Sequence, residues 1–79
     1  MAFKQYEMNT EIHVWRAKKR MTQQQLADLA SVSRQTIMQL EKNKYNPSLM
    51  LAYTIAQILD AKIDDLFIFT KAGEAESNR

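Results

Sequence analysis

The sequence has no cysteine, and it contains one glycine and one proline among 79 residues. Without cysteine it can form no disulfide, no thiolate nucleophile and no zinc–thiolate site. A chain of this length has room for one small domain, whose single core is only marginally stable alone. Pairing with a second copy or economical packing of helices would add stability.

Strong net charge and long apolar runs are also missing. The longest apolar runs are far short of a membrane span, and no cationic-then-apolar leader opens the chain, so we expect a cytoplasmic protein that does not bind membranes. The net charge is +2, but residues 1–45 carry eight Lys and Arg against four acids, and the remainder carries three against five. A polyanion would therefore bind the first half of the chain.

Residues that could support catalysis are scarce. His13 is the only histidine, and it lies off the apolar stripe of its predicted helix. Asp64 and Asp65 are neighbours in a helix and point in different directions. With no nucleophile–base pair, metal-ligand cluster or phosphate-cradling glycine loop in the sequence, we predict no enzyme activity, no metal and no cofactor. No second domain is visible that would supply a pocket for a small-molecule effector.

Hydrophobic spacing predicts five short helices between residues 10 and 66. Residues 11–19 form the first, and Pro47 separates the third from the fourth. The starts of the other helices are marked by polar residues. These starts are the capping box Thr22–Gln25, then Ser33, then Ser48 or Asn46, and last the acids Asp64 and Asp65.

The two ends of the chain have a different composition. Phe67–Thr70 is β-branched and aromatic, which predicts a short strand, and Ala2–Tyr6 is a weaker candidate for its partner. Residues 71–79 are small and polar, and we expect them to be disordered.

The second and third predicted helices fit a helix-turn-helix motif. The motif needs a small residue where the helices cross, supplied by Ala27, and an apolar residue in the turn, supplied by Val32. The third helix buries Ile37 and Leu40. Its outer stripe consists of Arg34, Gln35, Met38 and Gln39.

The residue types on this outer stripe suit the reading of DNA bases. Arginine bonds bidentately to guanine, and glutamine to adenine, in the major groove. Taken alone, Arg34, Gln35 and Gln39 are more typical of a solvated helix face, but inside the motif base reading is the better interpretation.

Residues 23–42, QQQLADLASVSRQTIMQLEK, resemble the Cro/C1-type (XRE) helix-turn-helix family of phage and bacterial repressors. The resemblance continues through NKYNPSLMLAYTIAQILDAKIDDLF and covers residues 12–67. It is greatest to small stand-alone bacterial repressors. It implies an all-α, five-helix lambda-repressor-like DNA-binding domain, with a short two-stranded β element at the termini as an open alternative.

The resemblance also implies domain boundaries and residue roles. We expect an N-terminal arm or short strand (1–9), the DNA-binding domain (10–67), a short strand or dimer contact (67–70) and the tail (71–79). The implied base-reading residues are Arg34, Gln35, Gln39 and Thr36; the implied phosphate-binding residues are Thr22, Gln23, Lys44, Tyr45 and Asn46. Arg16 and Glu41 match a structural ion pair of the family.

The sequence departs from the family where family helices commonly end in glycine, a residue that tolerates positive φ. The corresponding residues are Arg20, Ser31, Asn43 and Asp60. Asn43 and Asp60 adopt positive φ more readily than Arg20 and Ser31. At the latter two we expect strain of about 1 kcal/mol each, or a different turn.

Some apolar residues remain once the five-helix core is filled. They either cover the core of a monomer or contact a second copy, and we favour the second reading because one short helix reading one half-site binds weakly. The expected dimer contacts are Tyr53, Ile58, Phe67, Ile68 and Phe69.

The sequence thus predicts a repressor that binds double-stranded DNA as a homodimer on a near-palindromic operator. The alternative is an antitoxin or another partner-binding module built on the same fold.

The basic cluster Lys18, Lys19 and Arg20 has two interpretations. These residues could contact phosphates, or they could complement the helix dipole at the end of the first helix, and we favour the second.

Overall fold

The computed structural model describes residues 5–71. It contains five α-helices and two β-strands, so the fold is mainly helical rather than all-α. The elements are β1 (Tyr6–Thr10), α1 (Ile12–Lys18), α2 (Gln23–Ala30), α3 (Arg34–Glu41), α4 (Leu49–Leu59), α5 (Ile63–Leu66) and β2 (Phe67–Lys71). Most of the predicted Ala2–Tyr6 strand and of the predicted disordered tail lies outside the described residues.

The predicted helix starts of α2, α3 and α4 are confirmed. The Thr22 hydroxyl accepts the Gln25 N–H at 3.0 Å, and the Gln25 side-chain oxygen accepts the Thr22 N–H at 2.8 Å, which completes a capping box. Ser33 and Ser48 each accept the N–H of the residue three positions on, at 3.1 and 3.0 Å. Ser48, not Asn46, therefore caps α4.

The first four helices all end in the same way. At each end one residue has positive φ, its N–H bonds to the carbonyl three residues back, and the next N–H bonds to the carbonyl five residues back. The residues with positive φ are Arg20 (53°), Ser31 (59°), Asn43 (61°) and Asp60 (57°). The chain thus forms four left-handed helix ends without a glycine at any of them.

Glycine at two of these turns should stabilise the protein. The left-handed backbone conformation costs a residue with a Cβ about 1–2 kcal/mol. Glycine avoids this cost, but it also raises the conformational entropy of the unfolded chain, which cancels part of the gain in stability. We expect Arg20→Gly and Ser31→Gly each to raise the free energy of unfolding by about 0.5–1 kcal/mol, measured by thermal denaturation. Gln57→Gly, inside α4, should instead lower it by about 1 kcal/mol. A loss of stability in Ser31→Gly would show that this turn carries no strain.

The core lies between the helices and is closed at one end by β2. Its largest fully buried side chains are Ile12, Leu26, Ile37, Leu40, Ile55, Leu59, Leu66 and Phe67. Phe67 is 2% exposed, so this residue, which we expected to contact a second copy, belongs to the core of the monomer. Ile58 is partly buried against the same core.

The two strands form an antiparallel ribbon, which we call the β-ribbon, in which Thr10 faces Phe67 and Tyr6 faces Lys71. The predicted strand at 67–70 is confirmed and extends by one residue. Its partner lies at residues 6–10 rather than 2–6, because the Thr10 hydroxyl is buried and donates to the Leu40 carbonyl at 3.2 Å. Within residues 5–71 no helix is both long and apolar enough to cross a membrane.

Candidate nucleic-acid interface

The pair α2 and α3 packs as the helix-turn-helix motif requires. Ala27 and Leu26 on α2 have no exposed surface, and neither do Ile37 and Leu40 on α3. Val32 in the turn is half-buried against the core. One stripe of α3 is therefore fixed to the protein, and the opposite stripe faces away from it.

Three of the predicted base-reading residues, Arg34, Gln35 and Gln39, share this outward stripe, and Thr36 lies at its edge. Arg34 and Gln35, in the first turn of α3, are exposed, whereas Thr36 and Gln39 are half-buried. The Thr36 hydroxyl lies 3.0 Å from the Ser33 hydroxyl of the helix cap. The N-terminal end of α3 thus presents the most accessible polar groups.

An ion pair ties α1 to the end of α3. The Arg16 guanidinium donates to the two Glu41 carboxylate oxygens, from Nε at 2.8 Å and from Nη2 at 3.2 Å. Its Nη1 donates to the Met21 carbonyl at 2.9 Å. The two charged side chains are only 20% and 10% exposed. This is the pair that the family resemblance implies, and its charges compensate each other inside the protein.

The Glu41 carboxylate also bonds to the side chain of Gln23, the first residue of α2. Gln23 Nε2 donates to Glu41 Oε1 at 3.0 Å, and Gln23 Oε1 accepts from Arg34 Nε at 3.4 Å. Side-chain hydrogen bonds therefore join Arg16, Glu41, Gln23 and Arg34. Among the described residues, the Nη groups of Arg34 make no hydrogen bond, and the side chain is exposed.

This arrangement changes the expected role of Gln23. Both ends of its side-chain amide are engaged within the protein, so the side chain supports Arg34. The groups left for a phosphate at this end of α2 are first-turn backbone N–H groups, which have no intrahelical partner. The capping box takes the Gln25 N–H, and the N–H groups of Gln23 and Gln24 precede it.

The other predicted phosphate-binding residues flank α3. Thr22 is exposed before α2, and Lys44, Tyr45 and Asn46 are exposed directly after α3. Along the chain, exposed polar groups thus precede α3 at the start of α2, and an exposed segment with a cation follows it. We call residues 44–46 the post-helix segment.

Two of the basic residues at the end of α1 have partners within the protein. Lys19 Nζ lies 2.6 Å from Asp60 Oδ2, and Lys18 Nζ lies 4.2 Å from the centre of the Trp15 ring. These contacts favour a structural role for the cluster over phosphate binding.

Two features were missed in the sequence. Leu49 and Met50 are 78% and 72% exposed on α4, next to Tyr53 at 52%. Five consecutive apolar residues, 49–53, cannot all face a core on one side of a helix, and this was the available signal. The side chain of Asn43 makes two hydrogen bonds to β1, for which the sequence carries no signal.

Among the described residues, no group of acids and histidine is arranged to hold a metal ion.

Comparison with known proteins agrees with this architecture. A family model described as helix-turn-helix matches residues 12–66. A protein of Archaeoglobus fulgidus named an uncharacterized HTH-type transcriptional regulator is 58% identical over 62 residues, which are 78% of this chain and 87% of the relative. The HTH-type transcriptional regulator YgzD of Bacillus subtilis is 35% identical over 60 residues, 76% of this chain and 91% of that protein.

A solved structure has the same fold. The restriction-modification controller protein C.AhdI of Aeromonas hydrophila is similar with a TM-score of 0.63 at 26% identity. The similarity covers 68% of this chain and 78% of that one.

Proposed function

Because the chain belongs to the Cro/C1-type helix-turn-helix family of transcriptional regulators, we propose that it binds double-stranded DNA sequence-specifically and acts as a repressor. Residues 10–67 form the binding unit. The observation that carries the proposal is the first turn of α3, where the side chains of Arg34 and Gln35 are exposed. A protein bound in this way to a promoter excludes polymerase.

Arg34 and the glutamines of α3 supply the base contacts. Arg34 is held at Nε by Gln23, which leaves its two Nη groups to donate to guanine O6 and N7. Gln35 and Gln39 can each bond bidentately to adenine, the side-chain amide oxygen accepting from N6–H and the amide N–H donating to N7. Thr36 lies at the edge of this surface and contacts a base or a neighbouring phosphate.

Phosphate contacts orient the protein without reading sequence. We assign them to the start of α2, at Thr22 and the Gln23 N–H, and to Lys44, Tyr45 and Asn46 in the post-helix segment. Since these two groups flank α3, contacts on both sides would hold the helix in the major groove.

This proposal is tested by following the backbone amide signals during titration with operator-length duplex at low salt. We expect the largest shifts at residues 22–24 and 34–46. Shifts confined to α5 and the β-ribbon, or none at all, would contradict it.

We propose further that a second copy docks on an exposed apolar face, so that two α3 helices read two half-sites about 34 Å apart. The face consists of Leu49, Met50 and Tyr53 on α4, together with Ile63 and Phe69. Of the expected contacts, Tyr53, Ile68 and Phe69 are exposed. Exposed apolar side chains grouped in this way are typical of protein interfaces.

The dimer can be tested with two matched substitutions. Leu49→Glu places a charge on the apolar face and should shift the protein from dimer to monomer, because the carboxylate would have to be buried on association. Leu29→Glu, at a residue 60% exposed on α2, should leave the dimer intact. Light scattering over a concentration series measures both. A wild-type protein that stays monomeric at high concentration would contradict the proposal.

The same apolar face also supports the second candidate, an antitoxin or partner-binding module. In that case a different protein occupies the face and DNA binding is secondary. The two candidates differ in the composition of the purified assembly, since a homodimer contains one kind of chain and a partner complex contains two.

A further inference from the structure

Asn43 does more than end α3 in the left-handed conformation. Its side-chain oxygen accepts the Thr10 N–H at 2.9 Å, and its side-chain nitrogen donates to Asn9 Oδ1 at 3.2 Å. These bonds connect residues more than 30 positions apart in the chain. The end of α3 is thereby attached to the last two residues of β1.

The other three helix ends of this kind are used differently. Within residues 5–71, the side chains of Arg20 and Ser31 make no hydrogen bond to another element, and Asp60 forms only a surface ion pair with Lys19. Asn43 alone among the four joins the helix end to the β-ribbon. A requirement for positive φ does not explain this, because glycine would satisfy it better.

A third hydrogen bond strengthens the attachment. The buried Thr10 hydroxyl donates to the Leu40 carbonyl in the last turn of α3. Thr10 is also paired with the buried Phe67 across the β-ribbon. The last turn of α3 is therefore bound to the buried end of the β-ribbon.

The residue after Asn43 is Lys44, which carries the positive charge of the post-helix segment. Lys44 is directly bonded to Asn43 in the chain, and its N–H donates to the Gln39 carbonyl at 2.9 Å. Lys44, Tyr45 and Asn46 therefore follow directly on a residue whose side chain is bonded to β1.

We propose that Asn43 is a positioning residue for DNA binding: its two hydrogen bonds to β1 hold the post-helix segment where its groups meet a phosphate. The inference rests on the proposed function. A segment already held in place loses less conformational freedom when it binds, and this lowers the cost of the contact. Asn43 itself need not touch DNA.

The test variant is Asn43→Gly, which keeps the positive φ and removes only the side chain. We expect its affinity for the selected operator duplex to fall about three- to tenfold at constant salt. The slope of log affinity against log salt should flatten by about one, as for the loss of one lysine–phosphate contact. The preference among bases should not change, because α3 keeps its outward face.

Ser31→Gly is the matched control, since it makes the same exchange at a turn whose side chain bonds to no other element. We expect it to leave both the affinity and the salt slope unchanged. Lys44→Ala should flatten the slope in the wild type and add nothing further in Asn43→Gly. Asn9→Ala removes one of the two bonds at an exposed residue, so we expect a smaller loss of operator affinity than in Asn43→Gly. It is the second test variant in case Asn43→Gly does not fold properly.

The outcomes separate this inference from the proposed function. If the wild type binds its operator and Asn43→Gly binds like Ser31→Gly, the inference is wrong and the proposed function stands. If Asn43→Gly and Asn9→Ala lower affinity but Lys44→Ala still flattens the slope in Asn43→Gly, Asn43 does not act through the post-helix segment. If the wild type binds no duplex, both fail.

Discussion

Replacing Glu41 with alanine is expected to lower the free energy of unfolding by about 2–4 kcal/mol. Glu41 accepts two hydrogen bonds from Arg16 and one from Gln23 in a largely enclosed position. Without the carboxylate, a guanidinium remains desolvated with no counter-charge, and this is costlier than losing the pair as a whole. Urea denaturation of the two proteins measures the difference.

Two further variants identify the cause of that loss. Glu41→Gln keeps the size and one acceptor, so we expect an intermediate loss of stability. Arg16→Met in combination with Glu41→Ala should recover part of the loss, because no unpaired charge is then left behind. A single Glu41→Ala change that costs less than about 0.5 kcal/mol would mean that the pair contributes no more than an exposed one.

Gln35→Ala is expected to weaken operator binding by about 1–3 kcal/mol and to relax the preference at one base position. Gln35 is exposed in the first turn of α3 and has no role in the core. Its removal should therefore leave stability nearly unchanged. Competition with duplexes that carry single base changes measures the effect, since only one position should lose its discrimination.

Lys44→Ala is the control for this prediction. A phosphate contact carries no base identity, so its loss should weaken all sequences alike and flatten the salt dependence. If Gln35→Ala also weakened all sequences alike, the proposed division between base reading and phosphate contact would be incorrect.

The features set by neighbours in sequence could be predicted. The caps at Thr22, Ser33 and Ser48 and the positive φ at Asn43 involve bonds within one helical turn, and residue type alone favours them. The buried stripes of α2 and α3 follow from helical spacing in the same way.

The features that depend on distant contacts could not be predicted. The place of β1 is fixed by Thr10 bonding to Leu40 and Asn43, and neither contact leaves a local signal. The orientation of the Gln23 amide depends on Glu41, 18 residues away. The apolar residues 49–53 of α4 extend beyond its buried stripe, so the exposed Leu49 and Met50 were missed. Phe67 was assigned to a dimer contact, although it is buried in the core.

Selection of bound sequences from a random duplex pool, at one fixed salt concentration, is the most direct test of whether α3 reads the base sequence of DNA. We expect an enriched near-palindrome with two half-sites one helical turn apart, each holding guanine or adenine where Arg34 and Gln35 reach. A pool that gains affinity without gaining a common sequence would contradict it, since α3 would then hold DNA by charge alone.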